Sequence, residues 1–179
     1  MATKTSLTID DFERLPAETV RNRELVDGEL VDVSGNTAIH NKMRDRLIAH
    51  LLWWLNQNHT GEAIAEQEYD FGGNAHGPDV SYYGADKLPL VDNQRRVQRF
   101  VPDLAVEIVS ANDTYANLMR KKDRYRRAGT SEVWLVSTEL TEIAIYSAGA
   151  VRILAAGDTL TSDLLPGFAI AVDDLFRGL

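Results

Sequence analysis

Apolar positions along the chain fall into two clear periods. In residues 37–58, Ile39, Met43, Leu47, Leu51, Trp54 and Leu55 recur at steps of mostly three or four, which predicts a long amphipathic helix. Residues 102–110 show the other period. Leu104, Val106 and Ile108 alternate with Asp103, Ala105, Glu107 and Val109, the two-residue repeat of a strand. A short N-terminal helix is expected behind Thr8, with Ile9, Phe12 and Leu15 at helical spacing and Pro16 ending it. Asp27-Gly28 between two apolar runs signals a hairpin. Residues 62–71 and 78–83 read as strands flanking a turn-rich loop at 72–77. Asn112 or Asp113 is placed to cap a helix over 114–128, with Gly129 positioned to end it. Residues 133–136, 142–146, 151–155 and 169–172 read as strands completing the sheet. Helix, strands, helix, strands predicts an α/β or α+β layer fold with a mixed β-sheet flanked by helices. With no repeat, low-complexity tract or linker, a single domain over 1–179 is expected.

Composition narrows the chemistry. The 179 residues contain no cysteine, which excludes disulfides, thiolate metal sites and cysteine nucleophiles. The start of the chain has no apolar core behind a basic end, and residues 48–55, the longest apolar stretch, are broken by His50 and too short to span a bilayer. A cytoplasmic protein without a membrane partner is the expectation. Net charge is −8, which by itself argues against a polyanionic ligand. Yet residues 95–127 hold nine basic and four acidic side chains, an excess of five positive charges that leaves −13 on the rest. Such a basic sector in an acidic shell suits a phosphate backbone, or else is only a solvated helix face.

Phosphate loops, dinucleotide fingerprints, zincin helices and nucleophile elbows are absent from the sequence. The four histidines, His40, His50, His59 and His76, show no metal-ligand spacing. Glu107 is more informative. An ionised group inside the apolar run at 104–109 needs a partner, a hydrogen bond or a metal, unless the strand has one solvated face. Two Pro-Asp pairs, Pro78-Asp79 and Pro102-Asp103, offer acids beside it. Asp103 lies four residues before Glu107 on the same strand, about 13 Å away, too far for both to share one ion. Asp79 belongs to another strand and comes within about 5 Å if the two strands pair. Phosphoryl chemistry also needs a cation at the phosphate, and Lys121 and Lys122 flank the inward stripe that Leu118 and Tyr125 mark on the second helix. Both lysines could equally extend into solvent.

These residues, together with the runs at 24–30, 77–80, 102–110, 121–129, 132–136 and 165–168 and with His40, resemble the Uma-two family, described as restriction endonucleases within the PD-(D/E)XK nuclease superfamily. The resemblance covers nearly the whole chain. It implies a restriction-endonuclease-like core of the long helix, three strands, a second helix and a fourth strand. It further implies Mg²⁺ bound by Asp79 and Glu107, with Mn²⁺ as substitute. The superfamily's usual lysine position, two residues after the glutamate, holds Val109 here; the resemblance implies a variant whose lysine lies on the following helix, a position that Lys121 matches, with Lys122 as fallback. Glu24, Glu29 and His40 also match family positions and stand as outer groups around the site. Asn117 stands where members of the family often carry an acid, four residues before the lysine. The resulting expectation is a Mg²⁺-dependent endonuclease cutting DNA as a homodimer, with the basic run at 120–127 on the backbone. The alternative is a non-catalytic nucleic-acid-binding or protein-interaction module on the same fold.

Overall fold

The structure, a computed structural model, describes residues 6–33 and 36–179. Residues 1–5, part of the segment read above for an export signal, lie outside the described residues. Helix α1 (Ile9–Arg14) begins with a reciprocal cap: the Thr8 hydroxyl accepts the Asp11 amide at 3.1 Å, and the Asp11 carboxylate accepts the Thr8 amide at 3.0 Å. After Pro16 comes the short α2 (Ala17–Val20). Strands β1 (Arg23–Val26) and β2 (Glu29–Asp32) form the expected hairpin, with Asp27 and Gly28 both at positive φ, as a two-residue turn of this twist requires.

Helix α3 (Ala38–Asn58) is capped by Thr37 and ends where His59 turns left-handed. Its buried stripe runs through His40, Met43, Leu47, Leu51, Trp54 and Leu55. Ile39, expected in that stripe, is exposed, because the inward position of the first turn falls to His40.

The expected strand over 62–71 is two strands in different sheets. Strand β3 (Gly61–Ala65) ends at Glu66, whose φ of +57° turns the chain, and β4 (Glu68–Asp70) leaves in another sheet. Then follow β5 (Ala75–His76), β6 (Val80–Gly84), a 3-10 turn (Ala85–Leu90), β7 (Val97–Gln98) and β8 (Leu104–Val109). Helix α4 (Tyr115–Ala128) is capped by Thr114 and closed by Gly129 in the left-handed region. Asn112 and Asp113 do not cap it; the Asp113 carboxylate instead accepts the Ser110 amide at 2.8 Å. Strands β9 (Glu132–Ser137), β10 (Glu142–Ser147), β11 (Ala150–Leu154), β12 (Thr159–Thr161) and β13 (Ala169–Ala171) precede the final α5 (Val172–Phe176).

Six strands form the central mixed sheet in the order β11-β10-β9-β8-β6-β3, with β8 and β9 parallel and every other pair antiparallel. Only the β8–α4–β9 crossover could make that parallel pair, since parallel neighbours need a long connection. Strand β13, expected in this sheet, instead pairs with β12 in a separate two-stranded sheet. A second sheet, β2-β1-β5-β4-β7, packs under α1 and α2 around Phe12, Leu25 and Val97.

The alternation of β8 sorts the core. Leu104, Val106 and Ile108 pack with the α3 stripe, while Ala105 packs on the other face with Tyr125 of α4. Glu107 shares that second face by parity, so its carboxyl group is buried beneath α4 and not on a solvated side.

Candidate active site

Strands β6 and β8 pair with Val80 opposite Val106 and Ser81 opposite Ala105. One step further along the same register sets Asp79 beside Glu107. Pro78 has no N–H to donate, and the strand gives way there to loop. The Asp79 side chain closes the gap by accepting the Ile108 amide on Oδ2 at 2.7 Å. His40 Nε2, from the first turn of α3, lies 3.2 Å from the same oxygen. Burial alone would lower the His40 pKa, but the Asp79 hydrogen bond and charge outweigh it and leave it raised.

Glu107 is met from α4. Lys121 Nζ donates to its Oε2 at 2.9 Å and the Tyr125 hydroxyl to its Oε1 at 2.6 Å. These two donors are four residues apart, hence on one face of the helix. The Tyr125 ring is stacked on Phe71 with centroids 4.1 Å apart, which fixes the phenol against the strand. Burial pushes the Glu107 carboxyl up to about 7, reinforced by the negative charges of Asp79 and Glu24 and opposed by Lys121 and Tyr125. Burial would deprotonate Lys121, yet Glu107 and Glu24 reverse that and hold it charged.

The third acid comes from the other sheet. Glu24 of β1 places Oε1 3.1 Å from Lys121 Nζ and Oε2 2.8 Å from His76 Nδ1 of β5. A carboxylate can only accept, so His76 donates from Nδ1; its Nε2 then accepts from Arg124 at 3.2 Å. Burial lowers the His76 pKa in spite of Glu24, in keeping with a neutral ring. Glu24 itself falls to about 2, because Lys121 and His76 together outweigh its burial. Arg124 also reaches Asp27 in the hairpin turn, at 3.0 Å. A continuous series of contacts therefore runs from the turn through Arg124, His76 and Glu24 to Lys121 and Glu107.

Asp79, Glu107 and Lys121 thus converge, joined by Glu24 and His40. Lys122 does not: it pairs with Asp123 and lies 4.9 Å over the Tyr146 ring. Glu29 is exposed at the start of β2 and does not line the cleft. His76, Tyr125 and Arg124 escaped the sequence reading as site residues. For Tyr125 and Arg124 a signal existed, since they lie four and three residues beyond Lys121, but His76 sits in a turn-rich stretch without periodicity. Besides Glu107, the acid that faces Lys121 is Glu24 from β1.

These groups line an open cleft of about 700 Å³. Eight acidic and five basic residues line it, so the wall is acidic overall. The basic run at 120–127 is split: Arg120, Lys121 and Arg124 face the cleft, whereas Arg126 turns to the carbonyls of Thr130 and Ser131 and Lys122 to Asp123. Among the described residues, no group of three or more His, Cys, Asp or Glu is arranged to hold a metal ion.

A mixed sheet between helices, with acids from two adjacent strands and a lysine from the following helix, defines a restriction-endonuclease-like fold of the PD-(D/E)XK nuclease type. The chain belongs to the Uma2 family, whose model, described as "Putative restriction endonuclease", matches residues 9–173. A solved structure from Anabaena variabilis ATCC 29413, described as a "putative nuclease belonging to DUF820", superposes with a TM-score of 0.84 at 17% identity, over 95% of this chain and 97% of that one. No curated protein matches the chain.

Proposed function

We propose that the protein is a Mg²⁺-dependent endonuclease that hydrolyses phosphodiester bonds of DNA at Asp79, Glu107 and Lys121. The observation that carries this reading is the meeting of two carboxylates, one on β8 and one just before its partner strand β6, with the half-buried ammonium of Lys121 in an open cleft. The donor set fits a hard divalent cation. Mg²⁺ takes one or two protein carboxylates and fills its remaining positions with water and substrate phosphate, so a third protein ligand is not required. Burial, with the charge of Asp79 beside it, holds the Glu107 carboxyl up at about 7, and a cation between the two acids would favour its ionised form. When bound there, Mg²⁺ would polarise the phosphate and lower the pKa of water.

The chain's own groups do the rest. Lys121 has three N–H donors, of which Glu107 and Glu24 take two. The third is left for a phosphate oxygen or the attacking water, and the charge of Lys121 offsets negative charge growing at phosphorus. His40 and the Ile108 amide fix Asp79 through one oxygen, Oδ2, and leave Oδ1 without a hydrogen bond among the described residues. Tyr125 holds Glu107 from the opposite side.

Purified protein is expected to nick supercoiled plasmid with Mg²⁺ or Mn²⁺ and not with EDTA. Asp79→Asn and Glu107→Gln should each slow nicking by roughly 100-fold or more and abolish Mn²⁺ binding in calorimetric titration. Wild-type protein that binds neither ion and cuts neither DNA nor RNA would overturn the reading in favour of a non-catalytic module.

A further inference from the structure

The acidic balance of the cleft raises the question of which cation there remains available to a phosphate. Four of its five basic residues already face carboxylates. Arg23 pairs with Asp32 at 2.8 Å, Arg96 with Glu68 at 2.5 Å, Arg124 with Asp27 at 3.0 Å, and Lys121 with both Glu107 and Glu24. Arg120 is the exception among the described residues. It is exposed on the first half of α4, and its one contact is Nη2 donating to the Asn117 side-chain oxygen at 2.5 Å. That partner is neutral, one turn earlier on the same helix. The nearby acid, Asp113, is engaged instead by the Ser110 amide.

We infer that Arg120 is the primary phosphodiester-binding residue of the cleft, held by Asn117 with its charge unspent. The inference rests on the reading of the protein as acting on nucleic acid, and assigns to Arg120 the contact with the backbone next to the site. A guanidinium offers five N–H donors in a planar fork, and one taken by an amide leaves a full edge for bidentate contact with phosphate. Arg120 adjoins Lys121 in sequence and lines the same cleft, so a phosphate held there lies along the path of a strand passing over Glu107. The identity of residue 117 then sets how much charge Arg120 presents. An aspartate would form an ion pair three residues from Arg120 on one helix face and neutralise it, whereas an amide orients it and leaves its charge to the ligand.

The test is fluorescence anisotropy of a labelled DNA duplex against salt, in EDTA and again in Ca²⁺, with wild type, Arg120→Ala, Arg120→Lys, Asn117→Asp and Asn117→Ser. Arg120→Ala should weaken binding roughly tenfold and reduce the slope of log affinity against log salt by about one. Arg120→Lys should keep the slope while losing part of the affinity. Asn117→Asp should approach Arg120→Ala, and Asn117→Ser should stay near wild type. All four changes are at exposed positions, and unchanged melting temperatures would confirm that each variant folds. Wild-type binding that is indifferent to both Arg120→Ala and Asn117→Asp overturns this inference and leaves the nuclease reading standing. Wild-type protein that binds no duplex in either condition overturns both.

Discussion

At Lys121 one ammonium faces two carboxylates, Glu107 at 2.9 Å and Glu24 at 3.1 Å, and the two acids respond in opposite ways. Glu24 has a second donor in His76 and is driven down to about 2; Glu107 is raised to about 7 first by burial and then by the like charges of Asp79 and Glu24. The depressed acid makes a pH prediction. A carboxyl whose folded pKa lies below its unfolded one stabilises the fold above the unfolded value, and that stabilisation is lost as pH falls through the folded one. For Glu24 the window runs from the ordinary carboxylate value of 4.5 down to about 2. The difference corresponds to roughly 3 kcal/mol at most. Glu24→Gln should therefore flatten the acid limb of stability between those pH values, read by urea melts at pH 6, 4 and 3. An acid limb as steep as that of wild type would show that Glu24 gains nothing from Lys121 and His76. At this scale the sequence exposes Asp79 and Glu107 plainly, one following a proline at a strand start and one inside an apolar strand. Glu24 and His76 carry no comparable mark, because Glu24 takes its role from Lys121, 97 residues away, and from His76, 52 residues away, and His76 takes its role from Glu24.

Elements place these residues by period and by interruption. The three-four period of α3 and the strict alternation of β8 are local properties and are legible as such. The break at Glu66 is not. Residues 62–71 contain no glycine or proline to mark a boundary, and only the backbone turn at φ +57° divides them between two sheets. That division matters, since β3 supports β6 and thus Asp79, whereas β4 supports β5 and thus His76 and Glu24. A second interruption is steric. A Cβ on Gly61, at the start of β3, would lie 2.0 Å from the Tyr83 carbonyl oxygen, within the β3–β6 ladder. Backbone cannot yield there as a side chain does. Gly61→Ala should destabilise the protein by about 2 kcal/mol or more in denaturant unfolding, and stability equal to wild type would mean that the ladder opens freely at that end. Thr114, not Asn112 or Asp113, caps α4, and local spacing alone does not choose among three adjacent capping residues.

In the whole molecule, the site is where the two larger sheets meet through the connection from β5 to β6. Three apolar clusters, beneath α3, beneath α4 and beneath α1, surround that junction. The series of contacts from Asp27 through Arg124, His76 and Glu24 to Lys121 ties the small hairpin sheet to α4 and the central sheet. We propose that residues 1–179 form one domain and unfold as one unit. Thermal melts followed by Trp fluorescence and by far-ultraviolet circular dichroism should then coincide, Trp134 reporting on the central core. Two separated transitions would assign the hairpin sheet to an independent unit.

The amino-acid sequence by itself determined the helices and strands of regular period, the hairpin at Asp27-Gly28, the absence of thiol chemistry and the candidate acids Asp79 and Glu107, and it left Lys121 and Lys122 both open. Each of these is written in neighbours a few positions apart, where turn geometry and side-chain period act directly. Only the tertiary structure decided that Lys121 and not Lys122 meets the carboxylates, that Glu24 and His76 complete the cluster, and that most cleft arginines are already paired. Those outcomes depend on side chains brought together across tens of residues, and electrostatic energy depends on distance in space, which spacing along the chain does not reveal.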